Sequence, residues 1–308
     1  MKKILAFALL LIFIQFSYAQ DLRKEADSLK QIGLLEPALM KYGELMIKNP
    51  TRTTSYYLAQ TCALLWTKDM RDTAFHFLKY AIENDHNLAA LHDPSFLSLI
   101  EDPRWKKIEN HQIMMYQRNH PPIKNQKFAK ELLRMIIKDQ GFMYAGNLER
   151  EKYLKNGGVF NTAAIYPVLA LEEKYKAENI DKLNDLLDDF GWPSVSEVPE
   201  IAIDGATLIV QHADHDMRIK FFPYVSEAFR RGEVDPLLYA KMKDRILIEK
   251  GKEQLYGTQI EIINSEKKLL PLKNPENVDK RREKIGLGPL QPYLKERFNI
   301  DWTLAHYK

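Results

Sequence analysis

From Ile201 to Asp216 the chain reads IAIDGATLIVQHADHD. The first ten residues are nearly all apolar, with Asp204 the one charge among them. A helix that is apolar on most sides has to be enclosed by other elements. The segments around it must therefore supply amphipathic partners, and they read that way. FAKELLRMIIKDQGF, from Phe128, places Phe128, Leu132, Leu133, Ile136 and Ile137 on one helical face and ends near Gly141. Further helices are predicted over Ala163 to Asn179 and over Asp181 to Phe190, the latter stopped by Gly191 before Trp192-Pro193. On the other side, IKFFPYVSEAFRRGEV leads to Asp235-Pro236, which opens PLLYAKMKDRILIEKG, closed by Gly251. The segments QIEII and KLLPL flank NSEK and predict one short β-hairpin. The fold class is thus mainly α.

Polar groups able to do chemistry gather just beyond the buried helix, between Gln211 and Gln259. If the helix continues past its apolar part, His212 shares a face with His215 at i+3 and Asp216 at i+4. Three readings follow. His212 acts as a general base oriented by an acidic neighbour, with Asp214 and Arg245 beside it. Alternatively, His212, His215 and Asp216 hold a metal ion, although no HExxH or further ligand is evident. In the third, His212 braces the helix end while Asp214 pairs with Arg218 and Asp216 with Lys220 on a wet surface. Asp244 and Arg245 are mid-helix neighbours about 100° apart, so one of them faces inward. A buried arginine requires an acceptor, and Asp214 is the expected partner. The turn Gln254 to Gln259 contains Gly257, which permits an unusual backbone conformation. We assign ligand-binding roles to Gln211, Tyr256, Thr258, Gln259 and Arg282, and no cofactor.

Taken in order, Asp139-Gln140, Asp181 with Asn184, Gly191-Trp192-Pro193, Gln211 to Asp214, Asp244-Arg245, Tyr256 to Gln259 and the tail Val278 to Leu294 resemble an uncharacterised bacterial family, the domain of unknown function 6624. The likeness covers about the last 180 residues. It implies a site list, without an activity, a ligand or a cofactor.

Toward the N-terminus, helices are predicted over Leu22 to Ile32, Pro37 to Ile47, Thr54 to Trp66 and Thr73 to Glu83. ALMKYGELMIKNP, from Ala38, and AFHFLKYAIENDH, from Ala74, share small, aromatic and aliphatic positions at a spacing near that of tetratricopeptide repeats, which this part resembles. Phe96, Leu97, Leu99, Ile100 and Trp105 are expected to cover the end of the stack. The only cysteine, Cys62, lies in an apolar context and reads as a buried hydrophobe. HQIMMYQRNHPPIKNQ, from His111, reads as a linker.

Met1 to Ala19 has a basic start at Lys2 and Lys3, an apolar run from Ile4 to Ile14 and a small-residue exit at Ser17-Tyr18-Ala19, the pattern of a secretory signal peptide. The expected organisation is a signal peptide over 1–19, a tetratricopeptide-like domain over 20–111, a linker over 112–126 and a helical domain over 127–308. The protein is expected to be exported to the periplasm or secreted, with no transmembrane segment after cleavage. The formal charge of +3 includes Lys2 and Lys3, so removing them leaves +3 − 2 = +1. That near-neutral balance argues against a nucleic-acid partner. For function, one reading is a binding or scaffolding module whose repeats engage a protein or peptide partner. The other is a hydrolase or group-transfer enzyme with a small polar ligand held by His212, Asp214, Arg245 and Gln259.

Overall fold

The computed structural model describes residues 18–160, 163, 165–263 and 266–304. The predicted signal segment up to Ser17 lies outside the described residues. The chain is mainly α, with a single two-stranded antiparallel sheet among the described residues. It divides into two compact units. One runs through Pro122 and includes Gln140–Leu148; the other comprises Ile123–Asp139 and Glu149–Lys308.

The first unit contains α1 (18–31), α2 (Leu35–Lys48), α3 (Arg52–Leu64), α4 (Lys68–Ile82) and α5 (Trp105–Tyr116). Its helices pack closely because small residues meet large ones. Ala26 and Ala38 are fully buried with Tyr42 and Leu58, and Leu29, Met46, Tyr57 and Phe77 pack around them. The Tyr42 hydroxyl donates to Asp27 at 2.5 Å. Thr51 caps α3 and Thr67 caps α4, each accepting a backbone N–H three residues on. The Thr67 cap explains why α4 begins at Lys68, five residues before the predicted start at Thr73. Phe96, Leu97, Leu99, Ile100 and Trp105 are all buried. Asp93 fixes their segment to α3 by accepting from Tyr56 and Gln60 at 2.8 and 2.6 Å. Cys62 is buried, and burial pushes its thiol up to about 11. Helix α5 runs through Tyr116, five residues into the stretch read as a linker, because Gln112, Ile113 and Met115 are buried.

The second unit is built on α6 (Gln126–Gln140), α8 (Ile165–Phe190), α9 (Glu200–His212), α10 (His215–Arg230) and α11 (Pro236–Glu249). Two short helices follow the hairpin, α12 (Val278–Glu283) and α13 (Leu290–Phe298). Helix α7 (Met143–Lys155) was not anticipated: none of its described side chains is buried, so it has no apolar stripe to read. Helix α8 is one continuous helix of 26 residues, where two were predicted. No glycine or proline interrupts it near Asn179, and Asn179 is itself buried. Helix α9 is enclosed as its composition requires, with Ala202, Ile203, Ala206, Thr207 and Val210 fully buried. In the hairpin, β1 (Ile260–Ile263) pairs with β2 (Glu266–Leu269), so the second strand starts earlier than KLLPL suggested.

Candidate functional site

Helices α6 and α9 lie unusually close. A Cβ on Gly205 would stand 2.8 Å from Ile136 Cδ1 and 3.3 Å from the Leu132 carbonyl oxygen, so glycine is what lets them meet. Counting along each helix from that contact, Asp139 is three residues beyond Ile136 and His212 is seven beyond Gly205. Both offsets return to the same face. The two side chains meet at the C-terminal ends of their helices. His212 Nδ1 lies 2.7 and 2.9 Å from the Asp139 carboxylate oxygens. The Asp139 side chain is 2% exposed and that of His212 29%. An ionised carboxylate can only accept, so Nδ1 carries the proton and Nε2 is left as the acceptor nitrogen.

The pair opens onto a cavity of about 320 Å³, walled by Lys176, Asn179 and Asp181 of α8 and by Ile209, Ala213 and Asp214. Helix α8 is held there by Asn179, whose buried amide donates to the Met135 carbonyl of α6 at 3.1 Å. Lys176 is drawn toward Glu172 at 2.6 Å.

The helix does not continue from His212 into His215. Ala213 and Asp214 are extended, and Asp214 caps α10 by accepting from Met217 N–H at 2.9 Å. The i+3 and i+4 relations expected for His212 are therefore broken. His215 Nδ1 meets Glu249 at 2.8 Å instead. Among the described residues, no group of three or more His, Cys, Asp or Glu side chains is placed to hold a metal.

Arg218 does not pair with Asp214. It is buried, forms an ion pair with Glu249 and donates to the Gln211 and Ala213 carbonyls at the end of α9. Lys220 reaches Asn184 at 3.3 Å rather than Asp216. Arg245 donates to the Gln211 carbonyl at 3.2 Å and to Gln259 Oε1 at 3.4 Å, where Asp214 had been expected as its partner. Burial, then the neighbouring Arg218, disfavours the Arg245 charge. Two guanidinium groups thus serve one helix C-terminus, whose carbonyls lack intrahelical donors. Gln211 is buried, and its Oε1 has no hydrogen-bond partner among the described residues.

Of the Asp244-Arg245 pair, Asp244 faces inward and is fully buried. Its carboxylate accepts the N–H groups of Leu255, Tyr256 and Thr258 at 2.7, 3.1 and 3.1 Å, and the Thr258 hydroxyl at 2.9 Å. Burial raises this carboxyl, and the four donors oppose the rise. Gly257 makes the turn possible with φ +73°, where an added Cβ would lie 2.5 Å from Leu290 Cδ1. Arg282, 1% exposed, donates to the Tyr256 and Gly288 carbonyls, each at 2.6 Å, beneath the Tyr293 ring. Gln259 donates to Lys241 O at 3.1 Å. The polar backbone or side-chain groups of Tyr256, Thr258, Gln259 and Arg282 are thus engaged by the protein itself.

Of the predicted site residues, then, the structure brings His212 and Asp214 to one cavity. Arg245 and Gln259 sit in the bracing behind it. Asp139, from another helix, supplies the acidic neighbour of His212, which the local spacing had offered only in Asp216.

Residues 151–300 match a family of unknown function (DUF6624). The resemblance read from the QHAD, DR and YGTQ motifs holds for this C-terminal part. His212 lies inside the matched span and Asp139 outside it. No curated protein and no solved structure matches the chain, and the tetratricopeptide resemblance gains no support from these comparisons.

Proposed function

We propose that the C-terminal unit is an enzyme that performs hydrolysis or group transfer on a small polar substrate, with His212 as its general acid/base. The observation that carries this reading is the buried Asp139 carboxylate on His212 Nδ1, which leaves Nε2 as the acceptor nitrogen of a residue that lines the cavity. His212 takes a proton at Nε2 from water or from a substrate hydroxyl, and Asp139 stabilises the imidazolium that results. Asp181, Asn179 and Lys176 on the facing wall provide polar groups to orient the reacting molecule. A cavity of about 320 Å³ suits a small substrate.

The test is a panel of chromogenic esters, phosphates and glycosides assayed with wild type, His212→Gln and Asp139→Asn. One substrate should turn over, with both variants losing about 10²–10⁴-fold in kcat while their circular dichroism stays unchanged. Turnover indifferent to both substitutions would sink the assignment. So would variants that lose only stability, with no substrate turned over by any of the three proteins.

A second reading, that the helical repeats engage a protein partner, is favoured by Met40 and Ile47, seven residues apart on α2 and 76% and 85% exposed. Met40→Glu with Ile47→Glu should abolish co-purification of a specific partner from the native host and leave the fold intact. Retained co-purification would refute it. We also propose that the protein is exported, from the Lys2-Lys3 start, the apolar run and the Ala19 exit. A mature N-terminus at Gln20 by mass spectrometry would support export, and a cytoplasmic pool beginning at Met1 would exclude it.

A further inference from the structure

The N-terminal unit contains a second, larger cavity, of about 670 Å³, between α4 and α5. Its lining follows from helical spacing. On α4 and its C-cap, Phe75, His76, Lys79, Tyr80, Ile82 and Glu83 recur every three or four residues, and Arg104, Lys107, Ile108 and His111 do the same along α5 and its start. Each helix turns buried apolar residues (Phe75, Ile82, Ile108) toward the floor and polar ones toward the lip.

The groove is clasped at both ends. At one, Arg104 binds Asp72 of α4 at 2.7 Å and lies 4.2 Å over the Phe75 ring. At the other, His111 Nε2 lies 3.1 Å from the Ile82 carbonyl. These links hold the helices apart by a fixed amount, so the space between them is preformed rather than opened by a ligand.

Charges at the lip do not cancel. Among the described lining residues Glu83 is the one carboxylate, and Arg52 draws it off at 2.9 Å. Arg104 is satisfied by Asp72 and Asp102. Lys79 and Lys107 remain, one from each helix, exposed and without an ion pair among the described residues. An apolar floor beneath two uncompensated ammonium groups selects a molecule that is apolar at one end and anionic at the other.

We propose that this groove binds a small amphipathic anion, a carboxylate on an apolar body, with Lys79 and Lys107 on the carboxylate and Phe75, Ile82 and Ile108 on the body. The assignment is independent of the His212 cavity.

The experiment uses the full chain and anilinonaphthalene sulfonate, itself an apolar anion, as a fluorescent reporter displaced by octanoate. Octanoate should displace the dye at about tenfold lower concentration than octanol, which has the same chain and no charge. The double variant Lys79→Glu, Lys107→Glu should bind octanoate about tenfold more weakly with unchanged circular dichroism, since both side chains are on the surface. His212→Ala should bind it like wild type. Equal displacement by octanol, or a double variant that binds octanoate as wild type does, would overturn the proposal. So would displacement by acetate as effective as by octanoate, because the apolar floor would then contribute nothing.

Discussion

Replacing Gly205 by alanine tests the geometry that brings Asp139 to His212. The new methyl group would stand 2.8 Å from two carbons of Ile136, so Ile136 must shift or α6 and α9 must part, by up to about 0.6 Å, to restore ordinary contact at 3.4 Å. Ile136 can swing aside in part, but the Leu132 carbonyl, at 3.3 Å, belongs to the backbone and cannot. Overpacking of this kind costs about 1–3 kcal/mol. Alanine recovers about 1 kcal/mol of helix propensity over glycine. Gly205→Ala should therefore destabilise by about 0–2 kcal/mol in urea unfolding, against the stabilisation expected of the same change in an open helix. Ile136→Ala alone should cost about 2–5 kcal/mol by leaving a cavity. In the double variant the methyl group falls into that cavity, so the two costs should combine to about 1–2 kcal/mol less than their sum. The His212 Nδ1–H proton, expected downfield because of its short bond to Asp139, gives a second readout, since parting the helices lengthens that bond. Strict additivity, or a Gly205→Ala protein more stable than wild type with that resonance unmoved, would refute the close-approach argument.

Other predictions rest on separate features. Asp204, on α9, accepts the Asp235 N–H at 3.0 Å, and burial first, then Asp235 and Glu200, pushes its carboxyl up to about 6 from 3.8. A proton held more tightly in the fold than in the unfolded chain makes stability fall as pH rises from about 4 to about 6. The full effect is about 3 kcal/mol, or about 1–2 after discounting for solvent at the site. Asp204→Asn, which keeps the acceptor, should thus stabilise at pH 7 and not at pH 4, and a gain equal at both pH values would contradict this. Asp244→Ala strands three backbone N–H groups in a buried turn and should cost about 3 kcal/mol or more in chemical denaturation, whereas a loss under 1 kcal/mol would show the turn to be held otherwise. Cys62 should resist a thiol reagent at pH 8 in the folded protein and react fully in guanidinium, so prompt labelling of the native chain would argue against its burial.

Helices and their apolar faces were legible because burial imposes a 3.6-residue rhythm that any stretch displays by itself. Phe128, Leu132 and Ile137 face the core as their spacing predicts, and α9 is enclosed as its composition demands. The partner of His212 was not legible in the same way. Local spacing offered His215 and Asp216, while the structure supplies Asp139, 73 residues away. No periodicity carries that information; the available signal was a glycine in a helix otherwise built of larger apolar residues, which marks a close crossing. Arg245 misled for a related reason. A buried guanidinium needs acceptors, and a carboxylate was sought, yet the Gln211 carbonyl, at a helix end without an intrahelical donor, serves. The break at Ala213 was foreseeable only by treating Asp214 as the cap of a new helix instead of a participant in the old one.

The unbroken length of α8 has a bearing on what the sequence can tolerate. A helix of 26 residues spans about 39 Å as one rod. Along it Asn179 grips the Met135 carbonyl, Asp181 walls the His212 cavity and Asn184 meets Lys220. One continuous helix sets the angles between these attachments at about 100° per residue, so their phase relative to the start of the rod is fixed. Adding or removing a single residue between Ile165 and Lys176 would turn everything on one side of the edit by about 100° relative to the other. Either the start of the rod or all three attachments would face the wrong way. Substitutions on the outer face leave that phase untouched, so α8 should accept changes of residue freely and changes of length hardly at all.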